Sequence, residues 1–361
     1  MSKKQKVYVG MSGGVDSSVT AALLKEQGFD VTGVFIKAWH PEGFPCNWKE
    51  DRRDAMRVAA VLNIPFKTLD LEKEYKQDVV DYMIAEYQKG RTPNPDVMCN
   101  KEIKFGGFLD FALKEGADFV ATGHYTRLRR EGQMSNTQYQ ILEARDKAKD
   151  QSYFLWTLTQ KQLKHTLFPI GEYEKSDVRK LASKFNLPTA SKKDSQGLCF
   201  LGKVDMKEFL KEHLKLKDGE VLNMKGEVVG NHQGVQLYTI GERHGFTITH
   251  TGVDEKPMYI VSKDITKNTI TVSNEQTNRK ESGILKLELS GTNWTTLPEA
   301  GKKYFARFRY HQKPENCTVI FYEGATFIIF EKKQPSVALG QSLVLYDGEA
   351  CLGGGVIEAL L

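Results

Sequence analysis

The chain opens on Val7-Tyr8-Val9-Gly10-Met11-Ser12-Gly13-Gly14-Val15-Asp16-Ser17-Ser18, then runs on as an apolar-rich segment to Gln27 and Gly28. Val7 to Gly10 predicts a short buried strand, Asp16 to Gln27 a helix, and Gly28 its stop. The turn between them carries two glycines flanked by the hydroxyls of Ser12, Ser17 and Ser18. Glycines let backbone amides turn toward a ligand, and the start of a helix adds partial positive charge. The stretch therefore predicts a phosphate cradle. It lacks the Gly-Lys-Ser/Thr ending of a Walker loop and the spacing of a dinucleotide fingerprint.

Outward from this turn the alternation continues. Val31 to Ile36 reads as a strand, and Asp51 to Leu62 as an amphipathic helix with Asn63 as its C-cap candidate. Phe66 to Leu71 is a third strand, followed by a long helix through Tyr87. Gly90 to Val97 is a proline-rich ordered loop, a helix resumes near Asn100 and ends around Gly116, and Phe119 to Thr122 is a strand ending in Gly123-His124. Such alternation predicts an α/β domain with a parallel sheet covered on both faces, and ligands at the carboxyl ends of its strands. Leu128 to Leu142 suggests a hairpin, whereas Leu158 to Phe185 and Val204 to Leu214 read as helical. After about residue 217, Lys225-Gly226, Lys267-Asn268 and Glu323-Gly324 mark β-hairpins, and Leu285 to Leu361 reads as five or six strands of a small barrel or sandwich.

At 361 residues, with 40% apolar and 27% charged positions, the chain has enough material for two or three cored domains, which excludes disorder as a description of the whole. The balance of 51 basic against 46 acidic residues leaves a net +5, which permits a nucleic-acid partner without requiring one. No apolar run approaches the roughly 18 residues of a membrane span. Lys3, Lys4 and Lys6 precede a polar, glycine-rich segment rather than a signal-peptide core, so a cytoplasmic location is expected. Five cysteines, Cys46, Cys99, Cys199, Cys317 and Cys351, form an odd set with no CxxC pair and are expected as free thiols, the last two as core residues.

Two of these cysteines stand in unusual company. Pro93-Asn94-Pro95-Asp96-Val97-Met98-Cys99-Asn100 places a thiol at a predicted helix start with Lys101 and Lys104 nearby. A helix N-terminus and neighbouring cations favour the thiolate. Asp194-Ser195-Gln196-Gly197-Leu198-Cys199-Phe200-Leu201-Gly202 places another in a polar segment flanked by Lys192, Lys193 and Lys203. Both read as exposed thiols in cationic settings suited to nucleophilic sulfur chemistry. The alternatives are two buried structural cysteines, or a metal or iron–sulfur cluster held by Cys46, Cys99 and Cys199, whose spacing matches no compact ligand motif.

The Ser12 to Ser18 loop resembles the PP-loop of N-type ATP pyrophosphatases. The chain as a whole is similar to the tRNA-specific 2-thiouridylase (MnmA/TrmU) family through Phe35 to Trp39, Pro93 to Phe105, Ala121 to Tyr125, Lys149 to Leu155, Asp194 to Gly202, Tyr238 to Gly241 and Arg307 to Tyr310. This resemblance implies three domains: a PP-loop ATP-pyrophosphatase (adenine nucleotide alpha hydrolase-like) domain over 1–205, a central domain over 206–280 and a C-terminal β-barrel-like domain over 281–361. It implies that ATP is cleaved between its α- and β-phosphates and held by Gly10, Met11, Ser12, Gly13, Gly14, Val15, Asp16, Ser17, Ile36 and Gly123, with Mg²⁺ near Asp16. At Ile36 the family often has methionine, an equally apolar neighbour for adenine. Cys199 would carry a persulfide received from a sulfur-relay protein or cysteine desulfurase. Cys99 would be the nucleophile that resolves it through a transient Cys99–Cys199 disulfide, and Asp96 the acid/base. Asn94, Pro95 and Asp96 would frame the target uridine. Lys149, Asp150, Gln151, Arg309 and Tyr310 would contact tRNA, with Arg307 and His311 adding a cation and a ring beside them, although the same residues would suit an exposed strand face or a solvated turn. His124 is read as structural. An amide-forming synthetase of the same superfamily would need a glutaminase segment and no thiol pair. A non-catalytic RNA-binding or sulfur-carrier protein would leave the ATP loop unexplained.

Overall fold

The computed structural model describes residues 4–44, 46–132, 138–193, 199, 204–249, 257–274 and 283–361. Of the Asp194–Gly202 motif only Cys199 lies within them, and Lys203 lies outside. The first domain is built on five parallel strands: β1 (Lys6–Gly10), β2 (Asp30–Lys37), β3 (Phe66–Asp70), β4 (Phe119–Ala121) and an edge strand at Thr166–Leu167, in the order β3-β2-β1-β4-edge. The order reverses between β1 and β4, where an open α/β sheet parts its loops and takes its ligands.

Side-chain alternation sets the two covering layers. Val7, Val9, Val31 and Phe35 bury against α1 (Val15–Glu26), α2 (Trp48–Val61) and the Lys175–Lys184 helix. Tyr8, Val34 and Ile36 face the opposite way, against the helices over 72–88 and 95–114. Period-2 strands with apolar residues on both faces are what a doubly covered sheet requires. Asn63 ends its helix with φ 45°, as a C-cap should.

A five-stranded sheet forms the central domain, with its Asn268 turn in the left-handed region at φ 54°. In the C-terminal domain six strands, Ile284–Trp294, Lys303–Arg307, Glu315–Tyr322, Ala325–Gln334, Ser342–Asp347 and Ala350–Leu360, close into a barrel through pairing of the first with the last. Cys317 and Cys351 are buried in it, as expected.

Two expectations need correction. The 158–185 stretch is not one helical region: Thr159 caps a short helix over Gln160–Lys164 with a capping box, the edge strand Thr166–Leu167 follows, and the second helix starts only at Lys175. Gly171 lies between them because a Cβ there would come within 1.8 Å of the Thr126 carbonyl oxygen. The second concerns the hairpin Thr126–Glu131 and Gln138–Glu143, which forms as read but joins the C-terminal sheet, with Leu142 paired to Ala350 and Ile141 to Cys351. Within its first 205 residues the chain thus leaves the first sheet for the C-terminal one and returns to it at Thr166–Leu167.

Candidate active site

A glycine-shaped cradle forms at the turn for which the sequence predicts a phosphate site. Gly13 adopts φ +75°, and a Cβ there would meet the Asp51 carbonyl oxygen at 2.3 Å. Ser12 donates its backbone N–H to Ser17 Oγ at 3.2 Å, and Ser18 Oγ donates to the Gly14 carbonyl at 2.7 Å, which pins the loop onto the start of α1. The first amides of a helix have no carbonyl one turn earlier to accept them, so those of α1 can receive an anion. Gly123, after β4, closes the cradle from across the switch point. A Cβ on it would lie 2.7 Å from the Ser17 nitrogen and 2.9 Å from the Asp16 carbonyl carbon. Gly10 ends β1 at the loop's entry, and Ile36 on β2 is buried beside it in the sheet. Met11 and Val15 serve from behind: both side chains are buried, and the Met11 amide donates to the Val34 carbonyl at 2.8 Å. The Asp16 carboxylate takes Lys175 Nζ on its two oxygens at 2.7 and 2.9 Å and the Tyr125 hydroxyl at 2.8 Å. It is thus an acid already matched to a cation, at the mouth of the cradle.

The second station lies on the other side of the strand end. Asn94 caps the 95–114 helix by accepting the Val97 amide at 3.2 Å, with Pro95 in the first turn. The loop before it is held from the barrel, where Gln341 Nε2 donates to the Thr92 carbonyl at 2.9 Å and the Pro93 carbonyl at 3.3 Å. From Cys99 to Gly107 the helix widens into π turns. In an α-helix a residue five further on points about 140° away; a π turn brings it back over its predecessor, and so Lys104 reaches the face of Cys99.

Cys99 and Cys199, a hundred positions apart, meet here with their sulfurs 3.1 Å apart, the Cys99 thiol donating. The Cys199 backbone amide donates to Asp96 Oδ1 at 3.0 Å, and the Tyr75 hydroxyl donates to the Cys199 carbonyl at 2.6 Å, so the second cysteine is positioned through its main chain. The positive charge of Lys104 acts on the Cys199 sulfur. The expectation of two exposed, activated thiols holds for only one. Cys99 is fully buried, and burial together with its Cys199 neighbour pushes its thiol well above the usual range. Cys199 is partly exposed, and the hydrogen bond from Cys99, then the Lys104 charge, hold it below that range against the opposing effect of burial. Burial also raises Asp96, opposed by the Cys199 amide and Lys104. Lys101, the other expected cation, pairs with Glu102 instead.

The two stations touch through the Thr122-Gly123-His124 turn. Gly123 packs on the cradle, while His124 Nε2 lies 3.4 Å from Lys104 Nζ. An ammonium only donates, so Nε2 accepts and Nδ1–H faces Thr122 Oγ1 at 2.7 Å. Burial and the Lys104 charge hold His124 well below the ordinary imidazole range, hence neutral. Sequence reading missed Tyr75 and underused His124 and Lys104; only the π widening, invisible in composition, would have singled out the lysine.

The expected tRNA contacts divide. Tyr310 packs at a tilt of 49° against Phe154 with ring centroids 4.5 Å apart, burial pushes its hydroxyl up to about 12, and it shares an aromatic cluster with Tyr153 and His311. Arg309 donates to the Ile240 and Ser336 carbonyls at 2.7 and 2.6 Å, tying the barrel to the central domain. Lys149 sits in a half-buried turn. Gln151 accepts the Tyr125 amide at 3.0 Å. Asp150 departs from expectation: it is 5% exposed and its carboxylate accepts from the Ala144 and Ser152 amides, the Ser152 hydroxyl and Arg307. A buried carboxylate so fully bonded braces the hairpin to the barrel rather than meeting RNA. Arg307, paired with Glu143 at 2.6 Å and Asp150 at 3.3 Å, does the same. Cys46 is exposed, and among the described residues no group of three or more His, Cys, Asp or Glu side chains is disposed to hold a metal ion.

A glycine-shaped anion cradle at the switch point of a parallel sheet, joined by one turn to a pair of apposed thiols, defines a PP-loop enzyme of sulfur chemistry. Three family profiles tile the chain: a tRNA methyl transferase HUP domain over 5–203, a tRNA methyl transferase PRC-barrel domain over 207–274 and an aminomethyltransferase β-barrel domain over 285–357. Full-length relatives named tRNA-specific 2-thiouridylase MnmA include those of Alkaliphilus oremlandii, 44% identical over 99% of this chain and 98% of the relative, and Staphylococcus saprophyticus, 46% identical over 99% and 96%. A third, MnmA 1 of Geobacillus kaustophilus, is 45% identical over 99% of this chain and 97% of its own. The chain belongs to the tRNA-specific 2-thiouridylase family, a family of tRNA sulfurtransferases. A 4-thiouridine synthetase solved with RNA and bound ATP overlaps 58% of this chain and 50% of its own at 19% identity and a TM-score of 0.34, a likeness too loose to bear on the site.

Proposed function

We propose that the enzyme installs sulfur at C2 of the wobble uridine (position 34) of tRNA, consuming ATP and releasing AMP and pyrophosphate. The observation that carries this reading is the thiol pair: the Cys199 sulfur lies 3.1 Å from that of Cys99, its amide is anchored on Asp96, and its surroundings hold it below the ordinary thiol range while burial pushes Cys99 above it. A uracil C2 carbonyl is a poor electrophile, and its oxygen a poor leaving group. Adenylation of O2 turns that oxygen into part of AMP, and nucleotide binding falls to the Gly10 to Ser17 loop with Ile36 and Gly123. Mg²⁺ suits the phosphates, and Asp16, which already faces a cation in Lys175, is the carboxylate to share it.

Sulfur arrives when the Cys199 thiolate attacks the outer sulfur of a donor persulfide, from a relay protein or cysteine desulfurase, and the donor leaves as a thiol. The Cys199 persulfide then attacks C2 directly, or Cys99 first attacks the Cys199 sulfur, forming the disulfide and expelling hydrosulfide that attacks C2; on either route AMP departs. On the direct route Cys99 attacks the Cys199 sulfur, which forms the Cys99–Cys199 disulfide and frees the 2-thiouridine; a cellular thiol returns two electrons and resets the pair. Asp96 serves as acid/base beside the base, and Asn94 and Pro95 shape its pocket. Lys149, Arg309 and Tyr310 are the tRNA contacts we retain. The setting proposed is the cytoplasm, and no helix among the described residues is long and apolar enough to cross a membrane.

The test is reconstitution: enzyme, ATP, Mg²⁺, a persulfide donor and unmodified tRNA, followed by digestion and mass spectrometry for 2-thiouridine. Cys99→Ser should load persulfide on Cys199 without turning over, and Cys199→Ser should load none. A persulfide trapped on Cys99 in the latter would reverse the roles, and wild-type behaviour of both variants would reject the mechanism.

A further inference from the structure

The thiol pocket contains two apposed sulfurs, the Asp96 carboxylate and the Tyr75 hydroxyl, all of them acidic groups. A single cation faces them among the described residues closest to the pair, and it comes from an unexpected place. Lys104 is five residues beyond Cys99 on the same helix, and only the π turns over Cys99–Gly107 rotate it onto the cysteine face. Its ammonium lies 3.4 Å from His124 Nε2, and its charge acts on the Cys199 and Cys99 sulfurs and on Asp96. The histidine is in turn fixed by Thr122, whose Oγ1 lies 2.7 Å from Nδ1, and its ring packs against Phe105 and Phe168 with centroids 5.9 and 6.2 Å away. A neutral, oriented acceptor behind a half-buried lysine leaves the remaining N–H groups of that lysine for the sulfur.

One positive charge can neutralise one sulfur anion, not two. This explains an asymmetry that the two cysteine motifs do not display in sequence: one thiol is activated while its neighbour at 3.1 Å stays protonated and donates to it.

We infer that Lys104 is a further catalytic residue of this enzyme, the counter-ion that holds the Cys199 sulfur as an anion, and that His124 is the residue that positions it. The inference deepens the proposed sulfur relay and rests on it for its consequence, since the same ammonium would steady the persulfide anion that replaces the thiolate. Its test, however, needs neither tRNA nor ATP. The placement of His124 on the turn that also carries Gly123 gives the pair a second property: the strand end that packs on the nucleotide cradle is the one that aims the lysine.

The reduced full-length enzyme is treated with iodoacetamide across a range of pH, and the rate at Cys199 is followed by peptide mapping, which separates it from exposed Cys46. The groups facing the sulfur that titrate with it are Cys99, Asp96, Lys104, Tyr75 and His124. Lys104→Met should slow Cys199 alkylation at neutral pH by about tenfold or more and move its midpoint upward, one unit of displacement being about a factor of ten. Lys104→Arg, which keeps the charge, should restore the rate to within about threefold of wild type. His124→Asn, which keeps the lysine and removes its acceptor, should give an intermediate profile, and it carries the test if Lys104→Met does not fold. A Lys104→Met or His124→Asn profile that superimposes on wild type overturns the inference, whatever the enzyme does with tRNA. Failure of the wild type to make 2-thiouridine would instead strike the proposed function and leave the lysine's role to be decided by these profiles.

Discussion

The cradle and the thiol pocket are neighbours built on opposite plans. The cradle's turn lies within one strand–turn–helix unit, Val7 to Ser18, with Gly123 and the Asp51 carbonyl packed against it from elsewhere in the chain. The thiol pocket draws Tyr75, Asp96, Cys99, Lys104, His124 and Cys199 from four separate stretches of chain, and Gln341 of the barrel steadies its loop from outside. A local site depends on backbone shape; an assembled one depends on the parts of the fold that bring its members together. Substitutions at the two should therefore fail differently.

The largest effect is expected at Gly123→Ala. The new methyl would sit 2.7 Å from a backbone nitrogen of α1, which cannot move as a flexible side chain can, so the cradle itself must shift. Displacements on the ångström scale cost on the order of 10²-fold in rate. Steady-state thiolation should fall by about that much through ATP, while Cys199 alkylation stays at the wild-type rate; a parallel loss of thiol reactivity would show that the stations are not separable. Next comes Asp96→Asn. The amide oxygen can still accept the Cys199 N–H, so positioning survives while proton transfer is lost. Thiolation should drop by about 10²-fold, the usual worth of a general acid or base, with persulfide loading on Cys199 unchanged. Equal loss of both would make Asp96 a positioning residue only.

The same contrast explains what could be read in advance. Ser12 to Ser18 announces its turn because the glycines, hydroxyls and helix start are contiguous, and strand–helix alternation around it dictates the parallel sheet. Helical periodicity, by contrast, puts Lys104 on the wrong side of Cys99, because that pattern assumes α turns where π turns form. The lysines around Cys99 suggested an exposed thiol, yet its burial comes from the 72–88 helix and from Cys199 itself, neither of which is near in sequence. Asp150 looked like part of a polar surface turn until the barrel strand bearing Arg307 covered it. The hairpin at 126–143 could be read as a hairpin, but not as a partner of strand Ala350–Leu360, because pairing over some two hundred residues leaves no local trace.

A smaller effect should follow at Gln341→Ala, which removes both hydrogen bonds to the loop before Asn94. Two half-buried carbonyls lose their donor, for a cost of about 1–2 kcal/mol in a denaturant titration. If the assembled site depends on this outside support, thiolation should fall by more than ATP affinity does. An equal fall in both would place Gln341 with the general stability of the chain.

The smallest effect belongs to Glu349, the surface residue that joins the hairpin to the barrel. Its carboxylate accepts from Lys147 at 2.8 Å and from Arg127 at 2.6 Å, and these hydrogen bonds, Lys147 first, pull it down to about 2 from an ordinary 4.5. A depressed carboxylate contributes its stability in full above the unfolded value, and the contribution fades as pH falls from about 4.5 toward 2. The side chain is 55% exposed, so water and salt screen the pairs and the net worth stays below about 1 kcal/mol. Glu349→Gln should accordingly melt slightly below wild type at neutral pH in low salt, and the two curves should converge both near pH 2 and in high salt. A gap that persists in acid would mean that the side chain holds the hairpin by packing and not by charge. It would then belong with the buried Asp150–Arg307 brace rather than with the surface.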